Sequence, residues 1–114
     1  MKFINAYIKP ERLTAVTLAL RKVEGLTGMS VFDCRGFGRT WLMGKHHHAA
    51  DDAGDFVRMV KIEIICQNQL AEAVVSALEK AAHTGLRGDG KIFTVDIDSK
   101  VRIGTGERWP VKHE

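Results

Sequence analysis

Residues 57–85 read VRMVKIEIICQNQLAEAVVSALEKAAHTG and contain one strand followed by one helix. The first ten residues, Val57–Cys66, are rich in β-branched side chains, which favour a strand. The following stretch has the apolar spacing of a helix with one buried face, and Asn68 is its predicted N-cap. The sequence His83–Thr84–Gly85 ends this predicted helix. The apolar stripe comprises Leu70, Val74, Ala77, Leu78 and Ala81.

The N-terminal part of the chain repeats this unit. Residues 3–8, FINAYI, predict a strand, and Pro10 suits the first turn of a helix. Gly25 is the predicted terminator of that helix. Its apolar positions Leu13, Val16 and Leu20 match Leu70, Ala73 and Ala77 at a constant offset of 57 residues.

Two further strands complete the pattern, at residues 28–35 and 92–97. The order strand, helix, strand, strand, helix, strand predicts an α+β, ferredoxin-like βαββαβ fold with four antiparallel strands. Both helices then lie on one face of the sheet. We expect a single domain over residues 1–114, with a C-terminal tail at 98–114 that includes a short extended piece at 100–103.

The helix-free face of this predicted sheet carries Val, Ile and Phe residues on every strand. Such a face is too apolar to be left in water and implies a partner. With one chain in hand, the simplest partner is a second copy, in a closed ring or a dimer.

Composition restricts the class of protein. The chain has 114 residues, 45% of them hydrophobic, with a net charge of +3. Its basic residues are spread along the chain, which argues against nucleic-acid binding. No apolar run reaches the ~20 residues of a membrane span, and no secretory signal is visible, so we expect a cytoplasmic protein. Cys34 and Cys66 are expected to be lone thiols. The sequence has no Ser/His/Asp or Cys/His catalytic signature, so we do not expect an enzyme.

The segment 36–56, GFGRTWLMGKHHHAADDAGDF, has neither strand nor helix periodicity. A loop of this length in a small domain is usually functional. His46, His47 and His48 could bind a divalent transition metal, with Asp51 and Asp52 adding oxygen ligands. The alternative is a solvated polar loop whose histidines only change its charge near neutral pH.

Two glycine-bearing turns are candidate ligand sites, one at residues 36–39 and one at 84–91. Glycines allow a ligand to approach the backbone, and consecutive N–H groups can bind an anion. Lys91 would add a positive charge for a phosphate group. We expect the two turns to lie close together, at the ends of neighbouring strands. Glu63 and Arg102 are further candidates, for a polar edge of the ligand and a phosphate respectively.

Several motifs now carry a resemblance to a known family. KPERL follows the first strand, GMSV and GFGR surround the second, and TGLRGDGKIF leads into the fourth. DF before VKIEI and the C-terminal VRI.TGE complete the set. Together they resemble the PII signal-transduction proteins, the nitrogen regulatory protein P-II family, from about residue 2 to 107. The resemblance implies a homotrimer that binds adenine nucleotide (ATP, ADP or AMP) between subunits. It also implies that segment 36–56 is the effector loop that contacts a partner, a transporter or a metabolic enzyme.

The resemblance also assigns roles to individual residues. The nucleotide contacts it implies include a phosphate-binding loop at 84–91, with Arg102 coming from the adjacent subunit. Contacts to adenine and ribose fall near Ser30, Gly36, Gly38, Glu63 and Ile65. Contacts to the phosphates fall on Arg39, Gly88, Asp89, Gly90, Lys91 and Arg102.

Four positions depart from the family pattern. Thr40 replaces a glutamine that helps hold magnesium and 2-oxoglutarate, and Met59 replaces a lysine that pairs with 2-oxoglutarate. Gly104 replaces an arginine that contacts phosphate, and Asp52 stands where the family has a tyrosine that is uridylylated. We therefore expect a nucleotide-binding regulator that reaches a membrane only through its partner and does not sense 2-oxoglutarate in the usual way. The alternative is a metal-binding relative linked to heavy-metal transport through His46–His48.

Overall fold

The computed structural model describes residues 1–38 and 56–111 of the chain. The elements follow the predicted order, with a 3-10 turn at Pro10–Arg12 leading into the first helix. The strands and helices are β1 (Lys2–Ile8), α1 (Leu13–Arg21), β2 (Ser30–Gly36), β3 (Val57–Cys66), α2 (Asn68–Ala82), β4 (Gly90–Asp96), β5 (Lys100–Val101) and β6 (Arg108–Trp109).

Four strands form one antiparallel sheet in the order β2-β3-β1-β4, and β5 pairs with β6 in a separate two-stranded sheet. In the centre of the large sheet, Ala6 of β1 lies opposite Ile62 of β3 on one side and Ile92 of β4 on the other. This is the strand order of the split βαβ pattern, so the predicted α+β, ferredoxin-like fold is confirmed.

The hydrophobic core lies between the sheet and the two helices. Every second residue of β1 and β3 points to this layer, as the period of two in a strand requires. Helix residues at the spacing of one helical face meet them there. The most deeply buried side chains are Ile4, Ile8, Ile62, Ile64, Val16, Val74 and Leu78.

The opposite face of the sheet stays open. Ile65 of β3 and Val95 of β4 lie on it and are 45% and 49% exposed, and Phe32 and Phe93 are similarly exposed. Near its centre Asn5 is buried, with only 5% of its surface exposed. The predicted apolar, helix-free face is therefore present.

Some element boundaries differ from those predicted. Strand β4 begins at Gly90 and not at Ile92, because Gly90 and Lys91 pair with Ile8 and Tyr7 of β1. Gln67, and not Asn68, is the N-cap of α2. Gly25 does take a positive φ of 91°, but α1 already ends at Arg21.

Within the described residues, no helix is long and apolar enough to cross a membrane.

Candidate functional site

The loop between α2 and β4 has a backbone that only glycine adopts easily. Gly85, Gly88 and Gly90 have φ values of 82°, 80° and 108°. Gly90 also lies against β1, where an added Cβ would stand 1.7 Å from the carbonyl oxygen of Tyr7. No side chain fits there, so Gly90 is required by the close approach of two strands.

Asp89 holds this loop closed. Its carboxylate accepts hydrogen bonds from the backbone N–H of Thr84 at 2.8 Å and of Gly85 at 3.1 Å, and from the Thr84 hydroxyl. The ammonium group of Lys9 lies 3.2 Å from the same carboxylate, and His83 Nδ1 lies 3.6 Å from it. These groups satisfy the carboxylate within the loop.

The same contacts keep Asp89 ionised. Burial by itself would raise the pKa of this carboxyl group. The hydrogen bonds from Thr84 and Gly85, with that from Lys9, outweigh burial and hold the pKa well below its usual range. The negative charge of Asp89 is thus neutralised locally, which matters for a loop expected to receive a phosphate.

An open groove of about 390 Å³ lies beside this loop. Its floor is apolar and includes Ile8, Val75 and Ile92, while Glu79 and Lys91 provide charge. The predicted phosphate-contacting residues Gly90 and Lys91 therefore border a cavity that can admit a ligand.

The other glycine turn lies at the same end of the sheet but on the opposite edge. Gly36 ends β2 and pairs with Val57, whereas Gly90 begins β4. Because β2 and β4 are the two edge strands, three strand spacings of about 4.8 Å separate them, about 14 Å in all. The two turns therefore adjoin strands that are not neighbours in the sheet. The prediction that they lie at the ends of neighbouring strands is wrong.

Phe37 and Phe56 meet where the chain enters and leaves segment 39–55. Their ring centroids are 6.4 Å apart, and the rings are tilted by 60°. Arg39 and His46–His48 lie outside the described residues, so their predicted roles stay predictions. In the two stretches that are described, no three His, Cys, Asp or Glu side chains are grouped to hold a metal ion.

Three of the residues expected near adenine and ribose are close together on the sheet. Ser30 of β2 pairs directly with Glu63 of β3, and Ile65 lies two residues further along β3 on the same face. Glu63 forms an ion pair with Lys61 at 2.9 Å. The hydrogen bond to Glu63 raises the pKa of Lys61.

Arg102 and Lys91 belong to opposite ends of β4. Arg102 occupies the turn between β5 and β6, where its backbone N–H donates to Glu107 O at 2.8 Å. Its side chain is 66% exposed. This hairpin follows the end of β4, where Ile97 N–H donates to Met1 O, whereas Lys91 lies at the start of β4. The strand between them spans about 20 Å.

The chain is similar in sequence to known proteins over most of its length. The family model described as "Nitrogen regulatory protein P-II" matches residues 1–107. The chain belongs to the nitrogen regulatory protein P-II family. The P-II protein of Azospirillum brasilense is 43% identical over 108 residues, covering 95% of this chain and 96% of the relative. "Nitrogen regulatory protein P-II 1" of Escherichia coli K12 is 42% identical over 107 residues, covering 94% and 95% respectively.

Membership of the P-II family confirms the resemblance found in the sequence. P-II proteins are signal-transduction regulators and not enzymes, which agrees with the expected class of protein. Of the positions that depart from the family pattern, Met59 is buried at 3% exposure. Gly104 stands in open space, since nothing lies within 4 Å of an added Cβ. Thr40 and Asp52 lie outside the described residues.

Sequence reasoning gave no role to Lys9, Arg12 or Thr84, which hold the 84–90 loop and the end of α2 in place. Lys9 and Arg12 were visible only as part of the KPERL motif. Their contacts span 69 to 80 residues of sequence, so no local pattern could reveal them.

Proposed function

We propose that this P-II family protein binds an adenine nucleotide between the subunits of a homotrimer. The nucleotide then controls a partner protein through segment 36–56. The observation that carries the proposal is the separation of Lys91 and Arg102 along β4. Both are cations with side chains suited to phosphate, and a second chain would bring the Arg102 of one copy to the Lys91 of another.

The open sheet face supports self-association. It presents Phe32, Ile65, Phe93 and Val95 beside the buried Asn5 and the Lys61–Glu63 pair. Apolar residues surrounding a few polar groups are typical of interfaces between identical subunits. A closed arrangement of three chains covers this face on every copy.

The loop before β4 supports phosphate binding. Asp89 is the one acidic residue in it, and Thr84, Gly85 and Lys9 neutralise its charge. Gly88, Gly90 and Lys91 then offer an open backbone and an ammonium group to an anion. In this arrangement Asp89 shapes the loop and does not itself meet the phosphate.

Subunit complementation tests the shared site. Lys91→Met and Arg102→Ala should each weaken ATP binding by about 10- to 100-fold, because each removes a charge-assisted contact. Co-expressed in one cell, the two variants should form mixed trimers in which some sites join an intact Lys91 with an intact Arg102. Calorimetry should then recover a fraction of tight sites. Lys22→Met, an exposed lysine on the turn after α1, is the control and should bind as the wild type does.

If no tight sites return in mixed trimers, the site does not join these two residues from different chains. If the wild-type protein binds none of ATP, ADP and AMP, nucleotide binding itself is excluded.

The same titrations address the effector. A buried Met59 offers no charge to a dicarboxylate, and Gly104 offers none to a phosphate. We expect 2-oxoglutarate to leave ATP affinity unchanged. We also expect ATP to bind more tightly than ADP by a smaller factor than it would if an arginine stood at position 104. Strong enhancement of ATP binding by 2-oxoglutarate would contradict the first expectation.

The alternative, a metal-binding P-II relative linked to heavy-metal transport, depends on His46–His48 and on sequence alone. Titration with Zn²⁺, Cu²⁺ and Ni²⁺ should show weaker binding in a triple His→Ala variant than in the wild type. Equal affinities would remove this alternative.

A further inference from the structure

The segment directly after β1, Lys9–Arg12 with sequence KPER, contacts a distant part of the chain. Pro10 begins the 3-10 turn, and the turn carries Lys9 on one side and Arg12 on the other. Both side chains are cations, and both reach the region where α2 ends and the 84–90 loop begins.

Lys9 is the contact with the loop. Its ammonium group lies 3.2 Å from Asp89 Oδ1 and donates to the Thr84 hydroxyl at 3.1 Å. Only 17% of the Lys9 side chain is exposed. The Thr84 hydroxyl oxygen also accepts from the backbone N–H of Leu86 at 3.1 Å. One lysine thus contacts the two side chains that fix three successive backbone N–H groups of the loop.

Arg12 is the contact with the helix. Its Nε and Nη2 atoms both donate to the carbonyl oxygen of Ala81, at 2.9 and 2.7 Å. Ala81 is in the last turn of α2, where carbonyl groups lack partners within the helix. A guanidinium group at this end also interacts favourably with the helix dipole. The end of α2 is therefore fixed relative to β1 just before the loop starts.

The loop is anchored at its other end by backbone geometry. Gly90 lies against the carbonyl group of Tyr7, and Tyr7 precedes Lys9 by two residues on the chain. The loop consequently begins at an end fixed by Arg12, has its two ends joined by Lys9 through Thr84 and Asp89, and ends on β1 itself. Gly88 and Lys91 have little freedom to move relative to the sheet.

We infer that Lys9 and Arg12 are positioning residues for the phosphate-binding part of the nucleotide site. This inference rests on the proposed function, and neither side chain is assigned a contact with the nucleotide. They hold the backbone of residues 84–90 in the geometry that receives phosphate, so the bound loop is already formed in the free protein. Preorganisation of this kind raises affinity by reducing the entropy lost on binding.

The test compares Lys9→Met with Lys80→Met. Lys80 is an exposed lysine in the last turn of α2, so its removal controls for the loss of one positive charge near the loop. Amide hydrogen exchange without ligand should be about tenfold faster at Thr84, Gly85 and Leu86 in Lys9→Met, because charge-assisted contacts that order these groups are lost. Lys80→Met should exchange as the wild type does, and Lys9→Arg should restore slow exchange.

Calorimetry then separates positioning from general damage. In Lys9→Met, ATP affinity should fall about tenfold, while adenosine, which lacks phosphate, should bind as it does to the wild type. Arg12→Gln, which leaves Lys9 and Asp89 intact, should show the same split between ATP and adenosine. It serves as the second variant if Lys9→Met folds poorly.

The positioning role is overturned if exchange at residues 84–86 is unchanged in Lys9→Met, or if ATP and adenosine weaken equally. If the wild type binds ATP and both variants bind it equally well, the positioning role is overturned and the proposed function is not. A wild type that binds no adenosine phosphate overturns the proposed function as well, so the two failures are distinguishable.

Discussion

The two faces of the central sheet have similar apolar side chains but very different surroundings. On β3, Ile62 points to the helices and is fully buried, whereas Ile65, three residues later, points the other way and is 45% exposed. Two helices supply enough apolar surface for one face only. We propose that other chains cover the second face, so its residues should report on assembly and not on the folding of one chain.

The same contrast applies to the two lysine–carboxylate pairs. Lys9–Asp89 fixes a loop beside α2 within one chain. Lys61–Glu63 lies on the open face, and Lys61 Nζ is 6.0 Å from the ring centroid of Tyr7 and 5.9 Å from that of Phe32. A charged pair among aromatic rings suits a contact that must be specific as well as apolar.

A charge introduced on the open face should have the largest effect. Val95→Asp places a carboxylate where we propose that subunits meet, and an uncompensated buried charge costs about 3–5 kcal/mol. Sedimentation should show monomers in place of trimers. The matched control is Leu18→Asp on α1, which is 52% exposed where Val95 is 49% exposed. If both variants remain trimeric, the sheet face is not the interface.

Truncation of one isoleucine on each face should separate folding from assembly. Ile62→Ala should lower the free energy of unfolding by about 2–5 kcal/mol, because it leaves a cavity in a packed core. In Ile65→Ala, urea denaturation should show a loss that depends on protein concentration and vanishes as the trimer dissociates. Equal losses for both variants at every concentration would contradict the distinction between the faces.

The close contact between β1 and β4, two strands that carry both faces, can be tested with substitutions at two glycines. Gly90→Ala should cost about 2–4 kcal/mol, because its Cβ would collide with the Tyr7 carbonyl and its φ is 108°. Gly28→Ala is the control: nothing lies within 4 Å of an added Cβ there. Thermal denaturation should show a large loss for the first variant and little change, or a small gain, for the second. Similar midpoints would contradict the close approach of β1 and β4 at Gly90.

The fold could be predicted from the sequence because its signals are local. The β-branched run Val57–Cys66 coincides with β3, and the helical stripe from Leu70 to Ala81 lies within α2. The offset of 57 residues revealed the second βαβ half. Where prediction missed, pairing decided: β4 begins at Gly90 because β1 offers Ile8 as its partner, and nothing near residue 90 indicates this.

The site was less predictable because it depends on sheet order and on contacts distant in sequence. The glycine turns were found as motifs, but their places on opposite edges of the sheet follow from the order β2-β3-β1-β4. The family resemblance assigns Asp89 to the phosphates, and that role stays a prediction. Its hydrogen bonds to Thr84 and Gly85 also give it a role in the shape of the loop, which the motif does not indicate.

The smallest expected effect distinguishes the two carboxylate pairs by their response to acid. The contacts from Thr84, Gly85 and Lys9 lower the pKa of Asp89 in the folded protein. A lowered folded-state pKa adds stability that is fully present above the unfolded value of about 4 and is lost as the pH falls below it. Asp89→Asn should cost about 1–2 kcal/mol at pH 7, and its difference from the wild type should shrink in urea titrations from about pH 5 downwards.

Glu63→Gln, made on the open face, provides the comparison. Removing its charge breaks the pair with Lys61, which is more exposed in one chain than Lys9 is. If the pair acts in assembly, Glu63→Gln should change the trimer's dissociation and leave the acid response of the monomer intact. A pH-independent gap between Asp89→Asn and the wild type would show that Asp89 acts in the loop through its shape alone. In that case the charge of Lys9 would not be what holds the loop closed.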